Sequence, residues 1–394
     1  MSTVAIVATY APSEEFGGPA RIHHMGATLR AAGHSVGYVV VAANHQARRL
    51  GPLDLLRVVE RPFRAKVDHI YSDVDLARRA VADPAHAQAL REHLARIDAD
   101  IVVLEHPFLI ELVTRAIEPL AIPLVYSAAN IEHRLLRELE RFAFDWKRRA
   151  DRWEDVRELE RHACTAASAV TAICSHDQTV LRDEFGVEAE LVPNGSLFAD
   201  HPLPSPSVPT RRMGEPVDFA IAGSAYWPNT EGLATIAAPS LAFLPPTTRI
   251  HVAGSMSKEI LRERSVERRH SANASRLALR GFLPADELVA TFQAARAVLV
   301  PIFTGEGSNL KSADALASGR PVIMTERATH GYEHVLADDD EGVTVVGTAD
   351  EFRAAMRDTL DRERSGPVGA GRHAALKWST RTGPLAGVIA AATA

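Results

Sequence analysis

Short apolar runs alternate with longer amphipathic stretches along almost the whole chain, and this alternation limits the fold more than any other feature. The first apolar run, Val4 to Ala8, predicts a strand. Ile22, Met25 and Leu29 then recur at the spacing of a helix, and Val36 to Val41 is the next apolar run. Strands that alternate with helices build parallel sheets from β-α-β units. The beginning of the chain therefore predicts a doubly wound α/β domain.

The pattern continues to the far end of the chain, with one interruption. Further strands are predicted at the apolar runs Ile101 to Leu104, Pro123 to Tyr126, Val170 to Ile173, Glu190 to Val192, Val217 to Ala222, Ile250 to Ala253, Leu277 to Arg280, Val298 to Ile302, Val322 to Met324 and Val343 to Val346. Residues 196–216 are rich in Pro and Ser and lack apolar periodicity, which is typical of a linker. Because 394 residues suit two domains, we predict Rossmann-like domains over residues 1–195 and 217–370, followed by a helical tail over 371–394.

Charge and composition exclude several classes of protein. Net charge is −6, from 44 basic and 50 acidic residues, and no basic block interleaves with aromatic residues, so nucleic acid is a poor candidate partner. The first residues lack the basic start and long apolar core of a signal peptide, and no run approaches a membrane span. We therefore expect a cytoplasmic protein without a transmembrane segment that acts on small molecules. Cys164 and Cys174 are too few for a disulfide framework.

A Gly-rich loop, Gly305 to Asn309, lies between a predicted strand and a predicted helix that begins at Leu310. Free backbone N–H groups and the positive end of a helix form a site for a phosphate or diphosphate. Lys311 adds a positive charge there. Asp314 lies three residues further along the helix, where its carboxylate can accept hydrogen bonds from sugar hydroxyls of the same ligand. The segment therefore predicts a nucleotide site.

Lysine is rare in this chain, which strengthens the assignment of Lys311 to the phosphate. Only five of the 44 basic residues are Lys, so Arg is the usual basic residue of the sequence. A Lys in a Gly-rich loop and helix start, against this bias, is favoured where a compact ammonium is needed. The alternative is an exposed helix lysine.

Glu306 and Asp314 lie eight positions apart, and together with the Gly-rich loop this pair resembles the motif of the GT-B glycosyltransferases, in particular the retaining family 4 (glycosyltransferase group 1). The resemblance implies two doubly wound domains that face each other across a cleft, with the C-terminal tail crossing back onto the first domain. It also implies that Glu306 meets the donor sugar, Asp314 the ribose hydroxyls and Lys311 the diphosphate. Further donor-binding residues of the loop would be Gly307, Ser308, Asn309 and Leu310.

The sequence departs from the family pattern in this region. Asp314 replaces the usual Glu and is one methylene shorter. Ser308 and Asn309 stand where a related motif has Thr and Arg, which leaves less positive charge for the diphosphate. The loop after the first strand of the second domain, Ala222 to Gly232, has no Arg or Lys either. Ser224 and backbone N–H groups are therefore expected to bind part of the diphosphate.

Several other loops resemble the same family. Gly17 and Gly18 resemble glycines that let the backbone approach the donor phosphate or the acceptor. The segment Val192 to Gly195 resembles the interdomain turn. Phe282 and Leu283 resemble the segment that holds the nucleobase, and would form its apolar wall. Phe282 could equally be a core residue.

Polar side chains also follow strands of the first domain. His106 comes directly after the strand that ends near Leu104, so we predict that it lies at the cleft and contacts substrate as part of the catalytic site. Glu132 and His133 follow the next strand and are predicted to bind the acceptor. Asn130 either belongs to the same site or caps a helix.

Two further features have competing interpretations. Asp73 and Asp75 have the spacing of a divalent-metal motif of the other major glycosyltransferase fold, but they precede a helical run, where aspartates are common caps. We therefore predict no metal site. The segment from Ile131 to Ala163 has nine basic and nine acidic residues, which argues against attraction to anionic lipid. It fits a solvated helix pair, a dimer face or an acceptor lid.

The resemblance implies a retaining glycosyltransferase that moves a sugar from a nucleoside diphosphate sugar to an unidentified small-molecule or glycan acceptor. In such enzymes the leaving diphosphate itself takes the acceptor's proton, so neither a protein base nor a metal or other cofactor is expected. Two alternatives stay open, namely other nucleotide-sugar chemistry such as epimerisation or a non-glycosidic transfer, and a catalytically silent nucleotide-sugar-binding partner. A homodimer is left open too. The high Ala and Arg content is typical of a GC-rich bacterial genome.

Overall fold

The computed structural model describes residues 1–14, 17–41, 72–142, 152–205, 211–212, 214–225, 227–267, 270–305 and 307–394. These residues form two compact units. The first comprises Met1–Pro193 with Arg381–Ala394, and the second comprises Asn194–Thr380. In the described residues each unit has a six-stranded parallel sheet with helices between successive strands. The prediction of two Rossmann-like α/β domains is confirmed.

The strands agree closely with the apolar runs of the sequence. The first unit contains β1 (Thr3–Ala8), β2 (Ser35–Val40), β3 (Ile101–Glu105), β4 (Leu124–Ala128), β5 (Ala169–Ala172) and β6 (Ala189–Leu191), in the order β2-β1-β3-β4-β5-β6. The second contains a short antiparallel pair, β7 (Arg211–Arg212) and β8 (Glu215–Pro216), and then β9 (Phe219–Ala222), β10 (Ile250–Ala253), β11 (Leu277–Gly281), β12 (Ala297–Val300), β13 (Val322–Thr325) and β14 (Val343–Val346). Its parallel sheet has the order β11-β10-β9-β12-β13-β14.

The helices of the described residues cover both faces of each sheet. They are α1 (Gly17–Ala31), α2 (Ser72–Ala82), α3 (Pro84–Arg96), α4 (Ile110–Ile117), α5 (Glu132–Phe142), α6 (Arg152–Ala166), α7 (Ser175–Phe185), α8 (Trp227–Ala237), α9 (Met256–Glu259), α10 (Arg264–Glu267), α11 (His270–Ala274), α12 (Ala285–Ala294), α13 (Leu310–Ala317), α14 (Glu333–Asp338), α15 (Ala349–Asp361), α16 (Ala370–Ala375), α17 (Trp378–Arg381) and α18 (Pro384–Ala392). Short 3₁₀ helices lie at Glu118–Leu120, Leu197–Asp200, Leu241–Phe243, Ile260–Arg262 and Glu326–Thr329.

Both faces of the first sheet are buried, as the continuous apolar runs of β3 and β4 require. On one face α1 and α18 pack against the sheet, where Leu385 and Ile389 of α18 are buried in the same cluster as Val4 and Ile6 of β1. The hydroxyls of Thr28 and Thr382 are 2.6 Å apart beside this cluster. The last helix of the chain is therefore part of the first unit.

The second unit begins earlier than the predicted domain did. Phe198 and Ala199, near the start of the predicted linker, are buried in its core, and Phe198 packs beside Phe292. The backbone N–H of Ser196 also donates to the carbonyl of Leu376. Residues 196–200 thus belong to the packed part of this unit, and so do residues 371–380, which the sequence pattern assigns to the tail.

Candidate active site

In each sheet the strand order reverses direction at one point. Several of the predicted site residues follow the carboxyl ends of the strands there. In the second unit this point lies between β9 and β12, which pair through Phe219 and Ala297. Connections on the two sides of such a point leave towards opposite faces of the sheet, which opens a crevice for a ligand. The loops at this crevice are the Gly-rich loop after β12 and the loop that contains Ser224 after β9.

Lys311 lies in the first turn of α13, partly buried, and its Nζ donates to the side-chain oxygen of Asn229 in α8. Asn229 in turn donates from Nδ2 to the carbonyl and to the hydroxyl oxygen of Ser224, each at 3.1 Å. The structure therefore brings Ser224 and Lys311 together through Asn229, to which the sequence analysis assigned no role. Burial lowers the pKa of Lys311 to about 8.

Asp314 lies one turn further along α13 and is engaged within its own unit. The hydroxyl of Ser196 donates to Asp314 Oδ1 at 2.7 Å, and the backbone N–H groups of Leu197 and Phe198 also favour the ionised carboxylate. Burial nevertheless raises the pKa of Asp314 to about 6. These contacts use part of the acceptor capacity of the carboxylate, which has about four lone-pair positions in all.

The Gly-rich loop is held from several sides. Asn194 donates from Nδ2 to the hydroxyl of Ser308 at 3.1 Å, and the hydroxyl of Tyr332 donates to the carbonyl of Asn309 at 3.1 Å. Arg327, from the 3₁₀ helix after β13, donates to the carbonyl of Gly305. This guanidinium, which the sequence analysis missed, is a positive charge at a loop whose own sequence lacks Arg.

The predicted site also includes Phe282, Glu306, Gly307 and Leu310, and the structure describes three of them. Gly307 has a φ of 70°, and Leu310 is the first residue of α13. Glu306 lies outside the described residues. Phe282, immediately after β11, is 65% exposed and is therefore not part of the core.

In the first unit the strand order reverses between β1 and β3, and a chain of hydrogen bonds joins the residues that follow these strands and β4. His106 is at its centre, with the Nε2 atom 2.7 Å from the hydroxyl of Tyr10 and the Nδ1 atom 2.6 Å from a carboxylate oxygen of Glu132. Asn130 donates to the same Glu132 oxygen at 3.2 Å. Both ring nitrogens of His106 are therefore engaged.

Carboxylates around His106 determine its charge. Burial alone would lower the pKa of His106, but Glu132, Glu105 and Asp73 raise it to about 9. Burial opposes ionisation of Glu132, yet His106 and Asn130 lower the pKa of this carboxyl. His106 and Glu132 are therefore an imidazolium–carboxylate pair at neutral pH. The backbone of His106 has a φ of 65°, a conformation that residues other than Gly adopt mainly where the surroundings hold them.

Positions 17 and 18 require glycine for a structural reason that the sequence did not indicate. Gly17 begins α1 with a φ of 64°, which favours glycine. A Cβ atom on Gly18 would lie 2.3 Å from the hydroxyl oxygen of Tyr10, so only glycine leaves room for this ring. Gly18 thereby lets Tyr10 reach His106.

A buried ion pair lies beside this group. Arg21 Nε is 3.2 Å from a carboxylate oxygen of Glu105, and both side chains are at most 2% exposed. Arg21 also donates to the carbonyl of Val192 at 2.9 Å and to the hydroxyl of Ser127 at 3.2 Å. The sequence offered a signal for Glu105, since a carboxylate at the end of a fully apolar strand is rarely buried without a partner.

His133 is surrounded by carboxylates of its own unit. Its Nδ1 atom contacts Glu160, and its Nε2 atom is 3.3 Å from a carboxylate oxygen of Glu184. Glu160 also accepts from the backbone N–H groups of Glu132 at 2.7 Å and His133 at 3.2 Å, at the start of α5. Glu132 faces His106 instead of standing free. The two residues predicted to bind the acceptor are thus both held by internal contacts.

The remaining predictions concern metals and membranes. Asp75 binds Arg152 at 2.7 Å and Asp73 lies in the first turn of α2. Within the described ranges, no group of three or more His, Cys, Asp or Glu side chains is arranged to hold a metal ion. No helix in the same ranges is long and apolar enough to cross a membrane.

Comparison with known proteins connects this architecture to a family. The family model "Glycosyl transferase 4-like domain" matches residues 16–195, and the model "Glycosyl transferases group 1" matches residues 217–362. A search of curated protein sequences found no significant match.

Solved structures with the same fold cover nearly the full chain at low sequence identity. Sucrose-phosphate synthase from Thermosynechococcus elongatus has a TM-score of 0.68 at 14% identity, covering 100% of this chain and 96% of its own. HepE of Anabaena in complex with UDP has a TM-score of 0.67 at 15% identity, covering 99% and 100%. WaaG, a glycosyltransferase involved in lipopolysaccharide biosynthesis, has a TM-score of 0.64 at 18% identity, covering 98% and 95%.

Proposed function

Since this chain belongs to the group 1 glycosyltransferases, we propose that it is a retaining enzyme that moves a sugar from a nucleoside diphosphate sugar to a small-molecule or glycan acceptor. The observation that carries the proposal is the pairing of Lys311 and Asp314 on α13, at the reversal point of the second sheet. Ligands of open α/β sheets bind at such points.

The diphosphate of the donor is assigned to the start of α13 and the loops beside it. Lys311 provides an ammonium at the start of α13, and Ser224 is linked to it through Asn229. The N-terminal end of the helix adds backbone N–H groups and a positive dipole. Arg327, held at the carbonyl of Gly305, supplies a second cation close to the loop. Two cations and a helix end suit the charge of a diphosphate.

The nucleoside is assigned to two features of the second unit. Asp314 binds the ribose hydroxyls through the acceptor positions that Ser196 and the nearby amides leave unused. The exposed ring of Phe282, with Leu283 beside it, provides an apolar surface for the base. Structures of HepE contain UDP and UDP-glucose, and a starch synthase IV structure from Arabidopsis thaliana contains ADP. UDP and ADP are therefore the first nucleotides to test.

The proposed reaction requires no base from the protein. The acceptor oxygen forms a bond to the anomeric carbon while the bond from that carbon to the diphosphate breaks. The diphosphate keeps the electron pair and takes the acceptor's proton, and Lys311 stabilises its growing charge. Glu306 is assigned to the donor sugar from the sequence motif alone. His106 supports this scheme, because an imidazolium with both nitrogens engaged cannot accept a proton.

The first experiment is calorimetric titration of UDP, ADP, GDP and CDP into the wild-type protein in buffer with EDTA. We expect one nucleotide to bind well above the others, and Asp314→Ala to weaken it about tenfold or more. Asp358→Ala, at an exposed carboxylate in α15, is the matched control and should bind as the wild type does. If a folded wild-type protein bound none of the four, the donor assignment would be lost. Binding that needed a divalent metal would contradict the metal-free scheme.

A further inference from the structure

Asn229 joins Lys311 to Ser224 within the second unit, and the chemistry of these two neighbours fixes the orientation of its amide. The ammonium of Lys311 can only donate hydrogen bonds, and the backbone carbonyl of Ser224 can only accept them. The amide oxygen of Asn229 must therefore face Lys311, and its nitrogen must face Ser224, as the structure has them. The opposite orientation would place donor against donor and acceptor against acceptor.

Ser224 uses both hydrogens of the Asn229 amide nitrogen. One is donated to the carbonyl of Ser224 and the other to its hydroxyl oxygen, each at 3.1 Å. Because the hydroxyl oxygen accepts from Asn229, its own proton is directed elsewhere. Ser224 is exposed, and no further hydrogen bond engages it in the described part of the chain. Its O–H is therefore left to donate to a ligand.

The loop that carries Ser224 is held on both sides of this residue. A Cβ atom on Gly223 would lie 3.1 Å from the Cβ atom of Asn229, so glycine lets the loop approach α8 closely. On the other side, the backbone N–H of Ala225 donates to the hydroxyl of Ser255 at 2.7 Å and is not available to a ligand. The loop has no Arg or Lys, and the group that it presents to an anion is the Ser224 hydroxyl.

We propose that Asn229 is a positioning residue of the diphosphate site, which fixes the Ser224 hydroxyl as a donor to a phosphate oxygen and holds the Lys311 ammonium beside it. The inference deepens the proposed function and rests on it, because it assumes a diphosphate ligand. Asn229 uses both of its N–H groups within the unit, so it acts through its two neighbours. Lys311 gives one N–H to Asn229 and keeps two for the ligand.

The environment of Lys311 favours an anion at this place. The ammonium is largely removed from water, and within the described ranges it has no carboxylate partner. Burial of a charge without an opposite charge is unfavourable, and it lowers the pKa of Lys311 to about 8. The Asn229 oxygen contributes one neutral acceptor. A diphosphate would supply the opposite charge that the described residues do not.

The contact between Asn229 and Lys311 can be tested without a ligand. The chain has five lysines, so lysine labelled with ¹³C at Cε gives few resonances, and Lys311→Met identifies the one from Lys311. We expect its titration to be centred near pH 8 in the full-length protein. Asn229→Asp should raise this midpoint, because a carboxylate favours the ammonium, and Asn229→Leu should lower it, because the charged form loses a hydrogen bond. Thr235→Ala removes a 3.0 Å hydrogen bond of the same helix and should leave the midpoint unchanged.

The action of Asn229 through Ser224 is tested by calorimetry with whichever of UDP, ADP, GDP and CDP the wild type binds most tightly. Asn229→Leu should weaken binding about tenfold and Ser224→Ala about fivefold. Because one residue acts through the other, the double variant should bind little more weakly than Asn229→Leu alone. Ser271→Ala, at an exposed serine of α11, and Thr235→Ala are the controls and should bind as the wild type does.

Each result decides a separate claim. A midpoint that stays unchanged in both Asn229 variants overturns the contact with Lys311. Losses of affinity that add up in the double variant overturn the orientation of Ser224 by Asn229, and wild-type affinity in Asn229→Leu overturns the positioning role as a whole. Failure of the wild type to bind any of the four nucleotides contradicts the proposed function instead, and the effect of Asn229 on the lysine titration would still be seen.

Discussion

The Ser196 hydroxyl donates a 2.7 Å hydrogen bond to the Asp314 carboxylate, which joins the proposed ribose-binding acid to the third residue of the second unit. The same carboxylate is largely removed from water, and burial raises its pKa from 3.8 to about 6. An acid held in this way is prepared for a ligand at a cost in stability.

Replacing Asp314 by Asn should therefore stabilise the protein at neutral pH. Because the folded pKa of about 6 lies above the unfolded value of 3.8, the stability contributed by protonated Asp314 is complete below pH 3.8 and is lost as pH rises through 6. Asn keeps an oxygen that can accept from Ser196 and never ionises. We expect Asp314→Asn to gain on the order of 1–3 kcal/mol at pH 7.5.

Urea unfolding at pH 7.5 and at pH 4 measures this gain. The difference between variant and wild type should shrink at the lower pH, where Asp314 is protonated in both the folded and much of the unfolded protein. A variant that is less stable than wild type at pH 7.5 would mean that the hydrogen bonds to the ionised carboxylate outweigh the effect of burial.

Affinity for a nucleoside diphosphate should fall as pH rises through about 8. Burial lowers the pKa of Lys311 to this value, so the ammonium that attracts the phosphates is lost above it. Calorimetry from pH 7 to 9.5 should show the decline in the wild type and a flat, weaker profile in Lys311→Met. Lys377→Met, at an exposed lysine of the same unit, should keep the wild-type profile. If the decline remained in Lys311→Met, another group would be responsible.

Gly18→Ala should destabilise the first unit by about 1–3 kcal/mol, because the new methyl group would overlap the Tyr10 hydroxyl at 2.3 Å. The matched substitution is Gly387→Ala in α18, where a Cβ meets no atom within 4 Å among the described residues. It should be neutral or stabilising by up to about 1 kcal/mol, as helix propensity favours Ala over Gly. Thermal unfolding of both variants tests the comparison, and equal effects would show that Tyr10 can move aside.

Sequence reasoning was sufficient for the fold because apolar periodicity is a local property. The runs at Val4, Ile101 and Val298 predicted β1, β3 and β12 to within a residue or two, since each strand buries its own side chains. The helix that carries Lys311 and Asp314 could likewise be predicted from its own residues. These predictions needed no knowledge of which strands are neighbours.

What the sequence could not predict are pairings between distant positions. Tyr10 and His106 are 96 residues apart, and Arg327 lies 22 residues from Gly305. Both pairs depend on the order of strands in the sheets, which periodicity does not determine. The linker prediction missed Phe198 for a similar reason, because a short 3₁₀ helix buries its side chains without a periodic pattern.

The final prediction concerns the stereochemistry of transfer. An inverting enzyme needs a protein base that takes the acceptor's proton during attack from the opposite face. His106 is the titratable ring at the carboxyl end of β3, and Glu132 and Tyr10 occupy both of its nitrogens, while its pKa of about 9 keeps it charged at pH 7.5. With this base blocked, and with the diphosphate able to take the proton, we expect retention. ¹H NMR in the first minutes of hydrolysis of an α-linked donor should show the α anomer of the free sugar before mutarotation. The appearance of the β anomer first would contradict retention and imply a base other than the charged His106 ring.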